Sequence, residues 1–204
     1  MRVIRIDAQS FGSNTYCILS GVHAWVVDPS VSIAAISSAL AEEGASLDGI
    51  LLTHGHFDHM LSLDTLRKTF SVEAWIHEAD AAMLTDGKKN AFYNFFGKER
   101  VFLPAENLFE GGDVIPIGEE KIRVIHTPGH TQGSVCFLCG KALITGDTLF
   151  SEGYGRYDLW GGDREDLQDS LRRLGDLDPG LRICPGHGAV SSLGTALCHV
   201  EHIL

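Results

Sequence analysis

The apolar positions along the chain change period several times, and each change marks an element. RVIRI (2–6), TYCILS (15–20) and AWVVDP (24–29) read as strands, the last two separated by the turn-like SGVH. SIAAISSALAEEG sets Ile33, Ile36 and Leu40 at helical spacing, with Gly44 placed to close the helix. LDGILLT has the continuous apolar character of a buried strand and runs directly into THGHFDHM. MLSLDTLRKTF then predicts a helix, VEAWIHE a short strand and EADAAMLT another helix, so strand and helix alternate. In the second half EKIRVIHT, SVCFLCG and KALITGD carry strand-type runs and REDLQDSLRRL is an amphipathic helix. LRICPGHG is a strand with a polar exit, and SSLGTALCHVEHIL predicts a terminal helix. Both halves run strands then helix, which is compatible with two sheets packed face to face under outer helices. The class is α/β.

The 204 residues suit one domain, 1–204, able to bury a core without disulfides, and no low-complexity linker divides it. No stretch approaches the roughly 20 apolar residues of a membrane span. The N-terminus alternates like a strand and lacks the layout of a secretory signal, so a cytoplasmic protein with no membrane partner is expected. A net charge of −11 argues against nucleic acid, whose phosphates require clustered Lys and Arg. Two divalent cations would offset about four of those charges, and ten histidines is a high count for this length.

The five cysteines are odd in number and lie mostly in apolar runs, as free thiols of a reducing compartment do. Cys136 and Cys139 form a C-x-x-C, but residues three apart on a strand point to opposite faces. They read as two core residues rather than as a redox or zinc pair.

Four segments carry the chemistry: THGHFDH (53–59), TPGHTQGS (127–134), GDTLF (146–150) and PGHG (185–188). Each follows an expected strand and sets His or Asp beside Gly. Imidazole and carboxylate are ligands for zinc and similar cations, and glycine lets the backbone turn tightly enough for side chains to converge. One H-x-H alone would be read as a solvated polar loop. Four such segments favour metal.

In that order the segments resemble the signature of the metallo-β-lactamase superfamily, over a stretch from VVDP at Val26 to PGHG at Gly188. FGSNTYCI near the N-terminus is similar to the family's opening strand. The resemblance implies a four-layered αβ/βα sandwich with a dinuclear metal site at one edge of the paired sheets. By the family pattern His54, His56 and His130 would hold one ion and Asp58, His59 and His187 the other, with Asp147 bridging both. Asp58 and Asp147 would be the catalytic carboxylates, and a hydroxide shared by the ions would attack a carbonyl. The two divalent ions would be zinc first, with iron or manganese as alternatives. Asp28 matches an acidic position near the metals and would orient a ligand histidine, the competing reading being a simple Asp-Pro turn. His23, His77, His126, His199 and His202 fall outside the pattern and are expected at the surface or in packing.

GDTLF followed by GYGRYDLWGGD resembles the glyoxalase II and persulfide dioxygenase group most. The expected function is therefore a glyoxalase II-like thioesterase acting on a small acyl or thioester substrate. The alternatives are a mononuclear iron persulfide dioxygenase and a non-catalytic metal-binding module. Full-length glyoxalase II carries a C-terminal helical extension that supplies much of its glutathione site, and this sequence has no counterpart to it. Substrate contacts are expected instead from DGKKNAFYNFFGKER (86–100), as a lid bearing Lys88 and Lys89, and from Arg156 and Tyr157. A solvated helix whose aromatics dock in the core is the alternative for 86–100.

Overall fold

The computed structural model describes residues 1–6 and 12–203. Phe11, which opens the FGSNTYCI motif, and the DAQS stretch before it lie outside the described residues. Strands β1 (Arg2–Ile6), β2 (Thr15–Ser20), β3 (His23–Val27), β4 (Ser46–Leu51), β5 (Ala74–His77) and β6 (Asn107–Phe109) form one sheet in sequence order. Strands β7 (Val114–Ile117), β8 (Glu120–His126), β9 (Val135–Cys139), β10 (Ala142–Gly146), β11 (Arg182–Pro185) and β12 (Ser191–Ser192) form the other. β3 to β6 pair in parallel, as do β10 and β11, and the other neighbours are antiparallel.

Alternation along the strands divides the core into layers. Tyr16, Ile18, Trp25, Val27 and Leu51 face the second sheet and meet Phe137, Cys139, Ile144 and Cys184 there. Cys17, Leu19, Ala24, Val26 and Ile50 face outward onto helices α1 (Ile33–Glu43) and α2 (Leu63–Phe70). After two short helices, α3 (Ala81–Leu84) and α4 (Phe92–Phe96), the outer face of the second sheet is covered by α5 (Arg164–Leu174) and α6 (Leu193–Cys198). There Leu167, Leu171 and Leu174 pack on Cys136, Leu143 and Ile183. The result is the expected four-layered αβ/βα sandwich. Cys136 and Cys139 sit in different layers, and all five cysteines are free. Among the described residues no helix is long and apolar enough to cross a membrane.

Local signals explain the well-read helices. Ser32 caps α1 by accepting from the Ala35 amide at 3.2 Å, and Gly44 ends it in the left-handed conformation at φ 60°. Asp163 accepts from the Glu165 and Asp166 amides, and α5 carries acid in its first turn and Arg172 and Arg173 in its last, matching the helix dipole.

Three strands depart from the sequence expectation. β6 and β12 are very short, and β7 contains Pro116, which is tolerated because β7 lies at the edge of its sheet. The expected terminal helix is cut short: α6 stops at Cys198, and Val200 and Ile203 reach the outer core through successive turns.

β4, β10 and β11 all point their C-terminal ends at the same edge of the sandwich, where the loop after β8 also arrives. Backbone bonds tie these exits together: Val135 N–H to Thr53 O at 2.9 Å, Gly186 N–H to Gly146 O at 2.7 Å, and Asn14 N–H to Gly186 O at 2.6 Å.

Candidate metal centre

The exit of β4 delivers four side chains at once. Thr53 follows the strand, His54 and His56 come next in the loop, and a single 3-10 turn (Phe57–His59) swings Asp58 and His59 toward the same point. The loop after β8 brings His130, the turn after β10 brings Asp147, and the PGHG turn after β11 brings His187. One donor atom each from His54, His56 and His130 falls within a 4.8 Å group, and so does one each from Asp58, His59 and His187. Asp147 lies between them, with Oδ1 3.2 Å from His59 Nε2 and Oδ2 3.7 Å and 3.6 Å from the Nε2 atoms of His130 and His187.

The hydrogen bonds behind the ligands fix which ring nitrogen faces inward. His130 Nδ1 is 2.6 Å from the Arg156 carbonyl, which can only accept, so the proton is on Nδ1 and Nε2 presents a lone pair. Thr53 Oγ1 donates to Asp28 Oδ2 at 2.7 Å and therefore accepts from His54 Nδ1 at 3.1 Å, leaving the His54 Nε2 lone pair free. His59 Nδ1 donates to Asp28 Oδ2 at 2.8 Å, and its Nε2 turns to Asp147.

Lone pairs on His54 Nε2 and His130 Nε2 thus meet at 3.2 Å, with His56 Nδ1 2.9 Å from the same His130 nitrogen. Such an arrangement is repulsive unless a cation sits among the donors. His56 Nε2, His59 Nε2 and Asp147 Oδ1 are buried with no hydrogen-bond partner, which in a native interior calls for an ion or water. The donor chemistry of these His and Asp side chains therefore fits a site for divalent cations.

The electrostatics agree. Burial, then the neighbouring imidazoles, holds His54 well below its ordinary pKa, and burial with His130 pushes His56 down to about 3. Both are neutral at pH 7 and so available as metal donors. Burial opposes charge on His59, but Asp147, Asp28 and Asp58 outweigh it and raise its pKa, so a proton and a metal ion compete for Nε2. Burial also works against ionised Asp147, yet His59, His130 and His187 keep its carboxyl well below the usual range. The hydrogen bond to Asp58 raises His187.

Asp28 is a built feature of the site rather than only an Asp-Pro turn. It is buried, sits at φ 52°, and accepts from Thr53 N–H at 2.8 Å besides the two bonds already described. Gly186 is forced by closeness, since a Cβ there would lie 2.2 Å from Asp147 Oδ1.

A cleft of about 270 Å³ opens over the centre, lined by His56, Asp58, His130, Asp147 and His187 together with Phe57, Ala91, Phe95, Phe150, Leu159 and Arg156. Arg156 reaches this cleft, but its guanidinium is bound to Asp158 through two contacts of 2.6 and 2.8 Å. Tyr157 packs on the outer core of the second sheet, away from the cleft lining. Lys88 and Lys89 are also outside that lining: their ammonium groups lie 5.5 Å from the Tyr93 ring and 4.8 Å from the Trp160 ring.

Segment 86–100 is tied by hydrogen bonds within itself and to the loop that carries His56 and Asp58. Asp86 accepts from the Lys88 and Lys89 amides, Asn90 donates to Arg100 O, and Phe57 N–H donates to Asn90 O at 3.1 Å. Two residues of the site are not singled out by the sequence: Thr53, which opens the first motif but carries no ligand-type side chain, and Asp80, which nothing in its neighbourhood distinguishes. The histidines outside the motif take surface or packing places: His23 pairs with Asp48, and His77 stacks on His126 with centroids 4.3 Å apart.

The sequence profile of the metallo-beta-lactamase superfamily matches residues 9–187. Two relatives from Bacillus subtilis (strain 168) are similar over most of the chain. The probable metallo-hydrolase YqgX is 33% identical over 92% of this chain and 90% of its own, and the probable polyketide biosynthesis zinc-dependent hydrolase PksB is 32% identical over 96% and 83%. Among solved structures, the BLEG-1 B3 metallo-beta-lactamase superposes with TM-score 0.90 at 30% identity over 99% of both chains. A di-iron-bound form of TTHA1623 gives 0.81 at 29% over 94% of this chain and 96% of that one. Fold and site together define an αβ/βα protein with a His- and Asp-rich centre at the sheet edge. The chain belongs to the metallo-β-lactamase superfamily.

Proposed function

We propose that this protein is a hydrolase carrying two divalent cations and that it cleaves a thioester, as glyoxalase II-like enzymes do. The observation that carries the reading is Asp147, one carboxylate whose two oxygens face the two ligand groups. Names of relatives that speak of a metallo-hydrolase and a zinc-dependent hydrolase support it.

Bound at these residues, two divalent cations would supply Lewis acidity toward a carbonyl oxygen and acidify water at neutral pH. The chain's part is to hold His54 and His56 neutral, to turn His130 Nε2 inward through the bond of its Nδ1 to the Arg156 carbonyl, to keep Asp147 and Asp58 ionised, and to line the approach. Burial raises Asp58, but His59 and His187 lower it further, so its carboxylate at the cleft wall can take the proton that water gives up. Among the described cleft residues, every ionisable group except Arg156 belongs to the ligand set. The one proton available to a leaving group is then the proton that Asp58 has taken from water. An amine cannot leave without it, whereas a thiol, with its pKa near 8.5, departs as thiolate even if none is delivered. This favours a thioester over an ordinary amide.

The test is elemental analysis of the purified protein together with thioester hydrolysis measured with and without oxygen. Two metals per chain, oxygen-independent cleavage, and an Asp147→Asn variant that loses both metal and orders of magnitude in turnover are expected. One iron per chain with oxygen consumed on a persulfide would overturn the reading in favour of the dioxygenase. Two metals with no turnover on any thioester would favour a metal-binding module.

A further inference from the structure

Beside the metal centre stands an apolar surface that the reaction itself does not require. Phe57 projects from the ligand loop between His56 and Asp58, and its ring meets those of Phe92, Phe95 and Phe96 at 5.1, 5.8 and 5.7 Å. Phe92 also stacks at a tilt on Phe96, 4.5 Å away. Phe95 and Phe96 nevertheless remain 57% and 46% exposed. Side chains that serve only packing would be covered, and clustered exposed aromatics at the mouth of a cleft mark a place where a ligand sits.

The surface is held in shape. Ala91, buried against the cleft, adopts φ 68°, a left-handed conformation that is disfavoured for a non-glycine residue. That cost is offset by the bonds of Asn90 to Phe57, Arg100 and Phe92. The lining combines two kinds of group: carboxylates and imidazoles of the candidate centre, and hydrocarbon from Phe57, Ala91, Phe95, Phe150 and Leu159. Cations near it are engaged elsewhere, Lys88 and Lys89 on ring faces outside the lining and Arg156 on Asp158. Among the described residues of the lining, the one cation, Arg156, is paired with Asp158.

We propose that Phe57, Ala91, Phe95, Phe150 and Leu159 form a fixed subsite for an apolar acyl chain attached to the carbonyl that is attacked. The inference deepens the thioesterase reading and rests on it for the identity of the reaction. It makes 86–100 a rigid specificity wall rather than a moving lid, and Phe95 its main determinant.

The probe is a series of straight-chain alkyl hydroxamates, from acetyl to octanoyl, whose head group binds metal and whose tail would lie along the wall. Dissociation constants are measured by calorimetry on zinc-loaded protein of known metal content. For wild type, affinity should rise by up to about fourfold per methylene, the worth of one buried CH₂. Phe95→Ala should flatten that gradient, Phe95→Leu should retain most of it, and a Lys88→Ala/Lys89→Ala double variant should leave it unchanged. A wild-type gradient of zero, no measurable binding of any member, or a full gradient in Phe95→Ala would overturn the subsite. A gradient confined to alkanethiols, the leaving-group side, would overturn the acyl assignment. The two readings fail separately: a steep gradient with no thioester hydrolysis sinks the thioesterase, and hydrolysis without a gradient sinks the subsite.

Discussion

Replacing Asp28 by Asn should disable the centre from behind while leaving every ligand in place. Asparagine suits the left-handed backbone at φ 52° as well as aspartate does, so the fold of the turn is not what changes. The carboxylate accepts three hydrogen bonds: Oδ1 from Thr53 N–H, Oδ2 from Thr53 Oγ1 and from His59 Nδ1. An amide has one oxygen, so its NH₂ must face a donor in either orientation. Turned to Thr53 N–H, it leaves two buried donors opposed, at a cost of about 1–3 kcal/mol. Turned to His59, it forces the proton of that ring onto Nε2 and removes the lone pair meant for the metal. Loss of such an orienting partner lowers metal affinity by about 10- to 100-fold. The assay is competition for zinc against a chromophoric chelator, with thermal unfolding of the metal-free protein run alongside. Affinity within about twofold of wild type, with an unchanged Tm, would refute the assignment of Asp28 as the residue that orients His59.

Two further outcomes are expected. Gly186→Ala places a methyl 2.2 Å from Asp147 Oδ1 and 2.6 Å from His59 Cε1, so it should cut metal occupancy as strongly as loss of a ligand; full occupancy by elemental analysis would contradict the close approach of that turn to the centre. At pH 8 one thiol, Cys198, should react quickly with Ellman's reagent in the native protein and five in denaturant. Burial pushes Cys17 up to about 12 and Cys136 and Cys184 up to about 11, so a second fast thiol would show that the core opens readily.

What can be read from the sequence is whatever is written locally. α1 and α5 announce their ends through Ser32, Gly44 and Asp163, and their faces through leucine and isoleucine spacing. The ligand histidines are visible because a buried strand cannot run into so dense a group of imidazoles and carboxylates unless something binds them there. β7 is hidden because Pro116 argues against a strand until its edge position is known. The aromatics of 92–96 could equally face the core or the solvent, and only the tertiary placement of Phe57 decides where they gather. Lys88 and Lys89 suggest an anion site by charge alone, whereas their direction depends on where Tyr93 and Trp160 come to lie.

Asp80 is the clearest case of a residue whose task exists only in three dimensions. It is fully buried, and it accepts from Gly55 N–H at 3.0 Å, Gly133 N–H at 2.7 Å and Thr131 Oγ1 at 2.7 Å. Gly55 lies between His54 and His56, while Thr131 and Gly133 belong to the turn that carries His130. One carboxylate therefore joins the two loops whose imidazoles must face each other. Burial raises its pKa, and the bonds from Thr131, Gly133 and Gly55 lower it, so the charge is tolerated chiefly because those donors surround it. In Asp80→Asn the one oxygen either keeps Gly133 N–H, with the Thr131 hydroxyl rotating to accept from the new amide and Gly55 N–H left without an acceptor, or keeps Gly55 N–H and Thr131 and abandons Gly133 N–H. In either orientation one glycine amide loses its acceptor, at about 1–3 kcal/mol. The variant should therefore loosen one ligand loop and spare the other. Hydrogen exchange separates the two: faster exchange at one of Gly55 and Gly133, with the other still protected, is the expected result. Equal loss at both amides would mean that Asp80 is a general packing element and not a clamp between ligand loops.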